Sequence, residues 1–248
     1  MNFALRTESL RGHVARPHTG IGEVFGLVAL YGLYEVIRGF GSTSLAAARA
    51  HTHMIVDLER SVHVFGERAV QDWAHRVPAL PGLLGVAYIT LHLVATGVAL
   101  FWIYRSHRAH FAVVRTTLIV STAVALAIYV VYPAAPPRLA GLGFTDTVTR
   151  SAHVNLSSDL LGSFYNPFAA VQSFHFGYAL LVGAAVACLA RNRTARLIGA
   201  AYPAFMLFVI VATGNHFLFD AAAGGAVTIA GWLVARLLVS VETAPAGA

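Results

Sequence analysis

Residues 197–238 read LIGAAYPAFMLFVIVATGNHFLFDAAAGGAVTIAGWLVARLL, and across them only Asp220 and Arg236 carry a full charge. A helix that crosses a bilayer needs about 20 mainly apolar residues. This stretch supplies two such runs, about 197–213 and about 216–238, separated by a glycine and an asparagine. The spacing predicts a tight helical hairpin that crosses a membrane twice, with a histidine at its turn. Working outward, comparable runs occupy about 23–40, 84–104, 113–132 and 173–190. The expectation is an all-α polytopic membrane protein, a bundle of six transmembrane helices.

Composition agrees. The chain has 248 residues, 57% of them hydrophobic, a mean hydropathy of +0.68 and only 11% charged residues. Soluble domains carry roughly 25% charged residues, so this chain lacks the polar surface to coat a water-soluble globule. All 17 basic residues are arginine and the formal charge is +6. In a membrane protein that excess reads as cytoplasmic loops and not as nucleic-acid binding. The single cysteine, Cys188, excludes a disulfide framework and a cysteine metal site. The polar, Arg-bearing start is no cleavable signal peptide, so the first span is expected to stay as an anchor. Residues 1–22 read as a cytoplasmic segment, 23–239 as one membrane domain and 240–248 as a tail.

Arginine placement sets the orientation. Arg6, Arg11 and Arg16 precede the first span, Arg105, Arg108 and Arg115 surround the second turn, and Arg191, Arg193 and Arg196 the fourth. These segments alternate with two charge-balanced connections, 41–82 and 133–172. Arg excess marks the cytoplasmic side, so both termini are predicted inside and both long connections outside. The acids of those connections, Asp146 among them, read as solvated. Met54, Ile55, Leu58, Val62 and Phe65 recur at helical spacing, which predicts amphipathic interfacial helices between the first two spans.

Three features fall on the predicted outer side. His216 and Asp220 are four apart and share a helix face; a carboxylate there fixes the imidazole tautomer, leaving a nitrogen able to attack phosphorus. Gln172, Ser173 and His175 open the fourth span, where a helix N-terminus suits a phosphate and His175 suits a proton donor to a leaving oxygen. Arg138, after Pro136 and Pro137, can clamp phosphate oxygens. Asn215 adjoins His216. Arg38 of the first span either pairs with Glu35 or binds phosphate, and His92 of the second either lines the same cavity or bridges helices. The remaining histidines, such as His51 and His75, are expected at the surface.

The strings Tyr132-Pro-Ala-Ala-Pro-Pro-Arg138, Asn166-Pro-Phe-Ala-Ala-Val-Gln-Ser-Phe-His175 and Gly214-Asn-His216-Phe-Leu-Phe-Asp220 resemble the type 2 phosphatidic acid phosphatase superfamily. The segments Leu58–Gln71 and Tyr88–His92 are similar to its inositol phosphorylceramide synthase branch. The resemblance covers most of residues 55–231. It implies a six-span core and a phosphohistidine intermediate, formed without metal or cofactor. It also implies His216 as nucleophile, Asp220 as its partner and His175 as general acid. The K-x-x-x-x-x-x-R-P phosphatase signature is absent, Val209 and Ile210 stand where phosphatases have Ser-Arg, and Gln172 replaces a proline. The first two departures resemble the transferase branch.

The expected function is a lipid phosphotransferase or phosphatase acting on a phospholipid head group at the outer face, with water, an alcohol or a lipid as acceptor. A non-catalytic lipid-phosphate carrier of the same fold is the alternative. A haem protein using His92, His175 and His216 is disfavoured, because His92 lies deeper than the other two.

Overall fold

The computed structural model describes residues 44–151, 171 and 173–242, together with Gly32; side chains are described to residue 239. Among them the chain is all-α. The helices are α1 (Leu45–Ser61), α2 (Glu67–Arg76), α3 (Leu80–Ser106), α4 (Arg108–Val131), α5 (Thr147–Ser151), α6 (Phe174–Leu189), α7 (Arg193–Ala212) and α8 (Leu218–Glu242). A 3-10 turn covers Pro137–Leu139. The predicted first span and Arg38 lie outside the described residues, as does Gln172.

Four helices, α3, α4, α7 and α8, are long and apolar enough to cross a membrane. The apolar α6 is shorter, with 16 residues; at 1.5 Å per residue it measures about 24 Å. Many large apolar side chains point outward, as lipid-facing ones do, including Phe101, Val131 and Leu237 at 68%, 80% and 69% exposure. The chain is therefore read as an integral membrane protein.

Three contacts build the bundle. α6 and α7 form a hairpin in which Gly183 and Gly199 face each other. Pro203 lacks the amide that would bind the carbonyl of Gly199, and a Cβ on Gly183 would stand 2.5 Å from that carbonyl oxygen. Small residues at this point let the backbones touch, which is how helices pack where lipid removes the hydrophobic drive. α8 then packs along α4 and against the start of α6. α3 closes the other side against α6, α7 and α5. A cavity of about 1050 Å³ between α3, α6 and α7 is lined by Ser106 and His107 as well as Arg191 and Asn192. The two arginine-rich turns thus share one end of the bundle, and the start of α6 with His175 lies at the other.

α1 and α2 sit at that other end. α1 buries Ala48, Thr52, Ile55, Val56 and Glu59. The predicted apolar stripe divides: Ile55 enters the core, while Met54, Leu58 and Val62 are exposed at 63%, 47% and 56%. The helix stops at Ser61 because His63 takes a positive φ of 61°, so Phe65 belongs to the following turn. The expectation of solvated acids fails for two of them. Glu59 and Glu67 are 2% and 0% exposed, because each accepts a backbone amide at the start of α8. Of the two histidines expected at the surface, His75 is exposed and His51 is half-buried. His51 stacks on Tyr132 at 4.3 Å, and His75 meets the Thr147 hydroxyl at 2.9 Å.

Candidate active site

The site is assembled around the turn between α7 and α8. α7 ends at Ala212, and Gly214 turns the chain with a φ of +70°, the left-handed conformation that glycine adopts after a helix. A Cβ there would lie 2.6 Å from the Gln71 Nε2 and 2.9 Å from the Thr145 carbonyl oxygen. The amides of Asn215 and His216 both donate to the Ile210 carbonyl, at 3.1 and 3.2 Å. His216 therefore precedes α8 and is not in its first turn. The four-residue spacing still works: His216 Nδ1 is 3.5 Å from Asp220 Oδ2, with side chains 6% and 0% exposed. The same Asp220 oxygen accepts the Phe217 amide at 2.9 Å. With Nδ1 turned to a carboxylate, that nitrogen carries the proton and Nε2 keeps its lone pair.

Ser173 caps α6, its hydroxyl accepting the Phe176 amide at 3.3 Å. Its own amide donates to the Asp220 carbonyl at 2.8 Å. This junction is tight, since a Cβ on Gly224 would come within 2.5 Å of the Ser173 carbonyl oxygen. The Ser173 hydroxyl is thus engaged in capping, and the residue ties α6 to α8. Two positions on, the His175 ring lies 5.6 Å from the His216 ring between centroids. It is stacked on Tyr88 at 4.2 Å and touches His92 at 3.9 Å. His175 Nε2 is buried and has no hydrogen-bond partner among the described residues. His92 Nδ1 is 3.2 Å from the Tyr88 carbonyl; a carbonyl only accepts, so this nitrogen bears the hydrogen. Because the rings of His92 and His175 touch, no slot for a porphyrin separates them. Among the described residues no group of three or more His, Cys, Asp or Glu is arranged to hold a metal ion.

Arg138 reaches the same turn. Its amide donates to the Gly214 carbonyl at 3.0 Å, its guanidinium donates to the Asn215 side-chain oxygen, and its Nε lies 3.6 Å from Asp146 Oδ2. The guanidinium side chain is 3% exposed against 33% for Asp146. Asn215 in turn donates to the Thr213 hydroxyl at 2.9 Å. His175, His216, Asp220, Ser173, His92, Asn215 and Arg138 are therefore brought to one end of the bundle. Sequence reasoning missed the weight of Tyr88, which carries His175 on its face, and of Asp146, Glu59 and Glu67. A helical reading that buried Glu59 on the face of Thr52, Ile55 and Val56 was the available signal for Glu59.

A buried His–Asp pair thus lies beside a second histidine on a helical membrane scaffold. The family model that matches the chain is that of the PAP2 superfamily, over residues 53–234. The match spans well over half of the chain, which belongs to this superfamily. Searches of curated proteins and of solved structures each returned no match. Membership points to phosphatase or phosphotransferase activity on lipid phosphates.

Proposed function

We propose that this protein cleaves a phosphate ester of a membrane lipid through a phosphohistidine on His216. The observation that carries the reading is the 5.6 Å approach of the His175 and His216 rings, with His216 Nδ1 turned to Asp220 and His175 Nε2 unengaged among the described residues. The His216 Nε2 lone pair attacks phosphorus. The bond from phosphorus to the lipid oxygen breaks, and the departing oxygen takes a proton from His175. Asp220 stabilises the imidazolium character that grows on His216. An entering phosphate dianion favours the protonated form of His175 by charge attraction. In the second half, water or an alcohol attacks the phosphorus and gives its proton to His175, and the P–N electron pair returns to Nε2. Arg138 supplies positive charge at the turn. Gln172 and Arg38 are assigned to the phosphate and His92 to the cavity wall, on sequence grounds.

The scaffold reading is six spans with both termini cytoplasmic and the site toward the outer face of the plasma membrane, supported by the arginine-rich turns sharing the far end of the bundle. Transfer to an alcohol, with an inositol phosphate as the unit carried, is supported by Val209 and Ile210 standing where phosphatases have Ser-Arg. The deciding experiment incubates protein in lipid nanodiscs with phosphatidic acid, polyprenyl phosphates and phosphatidylinositol, with and without a ceramide or diacylglycerol acceptor. Inorganic phosphate and new lipids are followed by mass spectrometry, with His216→Ala alongside. Phosphate lost in the variant means phosphatase, and a new phosphorylated lipid lost in the variant means transferase. No variant-sensitive product, with lipid transport intact in His216→Gln, would leave the carrier of the same fold.

A further inference from the structure

The first turn of α8 carries an unusual load of carboxyl groups. The three amides that follow His216 are each taken by a different acid. Phe217 donates to Asp220 at 2.9 Å, Leu218 to Glu67 Oε1 at 2.9 Å and Phe219 to Glu59 Oε1 at 2.6 Å. Glu59 and Glu67 come from outside the membrane-spanning helices, from α1 and the start of α2, more than 150 residues earlier in the chain. Glu67 also accepts the Gly66 amide on its Oε2 at 3.0 Å. Among the described residues no donor reaches the buried Glu59 Oε2. Three ionised carboxylates in this dry space would repel one another beyond what one helix N-terminus offsets. A proton on Glu59 Oε2, shared with Glu67, resolves both the repulsion and the orphan oxygen.

We propose that Glu59 and Glu67 are positioning residues, a buried acid pair holding a single proton that clamps the first turn of α8 and so aims Asp220 at His216. The inference rests on the proposed role of His216. Neither glutamate touches the reacting atoms, and they act through the backbone of Leu218 and Phe219. The groups that face Glu59 are Glu67 from α2 and Asp220 from α8, with His216 beyond Asp220. Burial, then the hydrogen bond with Glu67, push the Glu59 carboxyl up to about 8, against the opposing pull of the Phe219 amide; repulsion from Glu67 and Asp220 adds to the rise. Its folded value lies above its unfolded one, so the stability the proton contributes is full below the ordinary carboxyl range and is lost as pH rises to about 8, while in the folded protein the clamp stays protonated until pH passes about 8.

The test compares wild type, Glu59→Gln and Glu59→Ala in nanodiscs, with dioctanoyl phosphatidic acid as probe and released phosphate as readout from pH 6 to 10. Glutamine copies the protonated acid, since its oxygen accepts from Phe219 and its amide donates to Glu67. The expected result is a wild-type kcat that falls on the alkaline side with a midpoint near the Glu59 value. Glu59→Gln should keep kcat at neutral pH within a few-fold and lose that limb. Glu59→Ala should lose about tenfold or more in kcat, with KM changed little. An alkaline limb unchanged in Glu59→Gln, or a glutamine variant as impaired as the alanine one, overturns the proposal. If wild type releases no His216-dependent phosphate, the proposed function fails by itself. The pair is then read from the thermal midpoint against pH: a decline as pH rises from the ordinary carboxyl range to about 8, present in wild type and absent in Glu59→Gln, supports it, and equal declines overturn it.

Discussion

The carbonyl of Asp220 accepts the amide of Ser173 at 2.8 Å, so the residue whose side chain faces His216 also fixes the start of the helix that carries His175. Asp220 therefore holds both histidines, one through its carboxylate and one through its backbone. Replacing Asp220 with asparagine keeps the backbone tie and an oxygen for the Phe217 amide, and removes only the charge that orients His216. Turnover should fall by about 10²–10⁴ with the thermal midpoint nearly unchanged. Alanine also strands the Phe217 amide, so it should lower the midpoint as well. Paired kinetic and melting measurements on the two variants separate these effects.

His175 is expected to act at bond breaking, and its contribution should depend on the leaving group. A lipid alkoxide needs a proton as it departs, whereas p-nitrophenolate does not. His175→Ala should therefore reduce phosphate release from phosphatidic acid by about 10²–10⁴, the usual range for general acid catalysis, and release from p-nitrophenyl phosphate far less. Equal losses for the two esters would remove His175 from the acid role. They would instead assign its stacking on Tyr88, at 4.2 Å, to shaping the cavity.

Much of this arrangement was legible in the chain, because period and spacing are local properties. The apolar runs matching α3, α4, α6, α7 and α8 lie within a few residues of the observed helices. The pairing of His216 with Asp220 follows from their spacing even though His216 stands before the helix. What was not legible depends on contacts between distant segments. Glu59 and Glu67 look like ordinary loop acids until α1 and α2 are folded over the start of α8. The tie of Ser173 to α8, through its amide on the Asp220 carbonyl, likewise joins segments far apart in the chain. Asp146 looks solvated, yet its carboxylate stands 3.6 Å from Arg138.

That last contact has a kinetic consequence. The Arg138 guanidinium is buried while Asp146 is one-third exposed, so the acid partly neutralises the cation proposed to bind phosphate. Asp146→Asn keeps an oxygen for the Thr149 amide, which Asp146 accepts at 3.1 Å, and removes the negative charge. Inorganic phosphate should then inhibit a few-fold more tightly, with solvent screening keeping the gain small. Arg138→Ala should raise the inhibition constant and also lower the thermal midpoint, because Asn215 loses its donor. If Asp146→Asn leaves phosphate affinity unchanged, Arg138 serves the turn and not the ligand.

Gly214 is where backbone geometry and chemistry meet most sharply. Its φ of +70° is costly for any residue with a Cβ, and its carbonyl receives the Arg138 amide at 3.0 Å. An alanine would add about 1–2 kcal/mol of backbone strain. Its methyl would also press on the Gln71 side-chain amide at 2.6 Å and the Thr145 carbonyl at 2.9 Å. Gln71 itself donates to that Thr145 carbonyl at 2.9 Å and accepts the Thr145 amide at 2.8 Å, so relief of the clash would loosen the loop that presents Asp146. Gly214→Ala should therefore lower both the thermal midpoint and kcat. Gly97 has open space where a Cβ would go, so Gly97→Ala should leave kcat unchanged and stability equal or slightly higher. Measuring the two variants side by side distinguishes strain at the His216 turn from a general intolerance of added methyl groups.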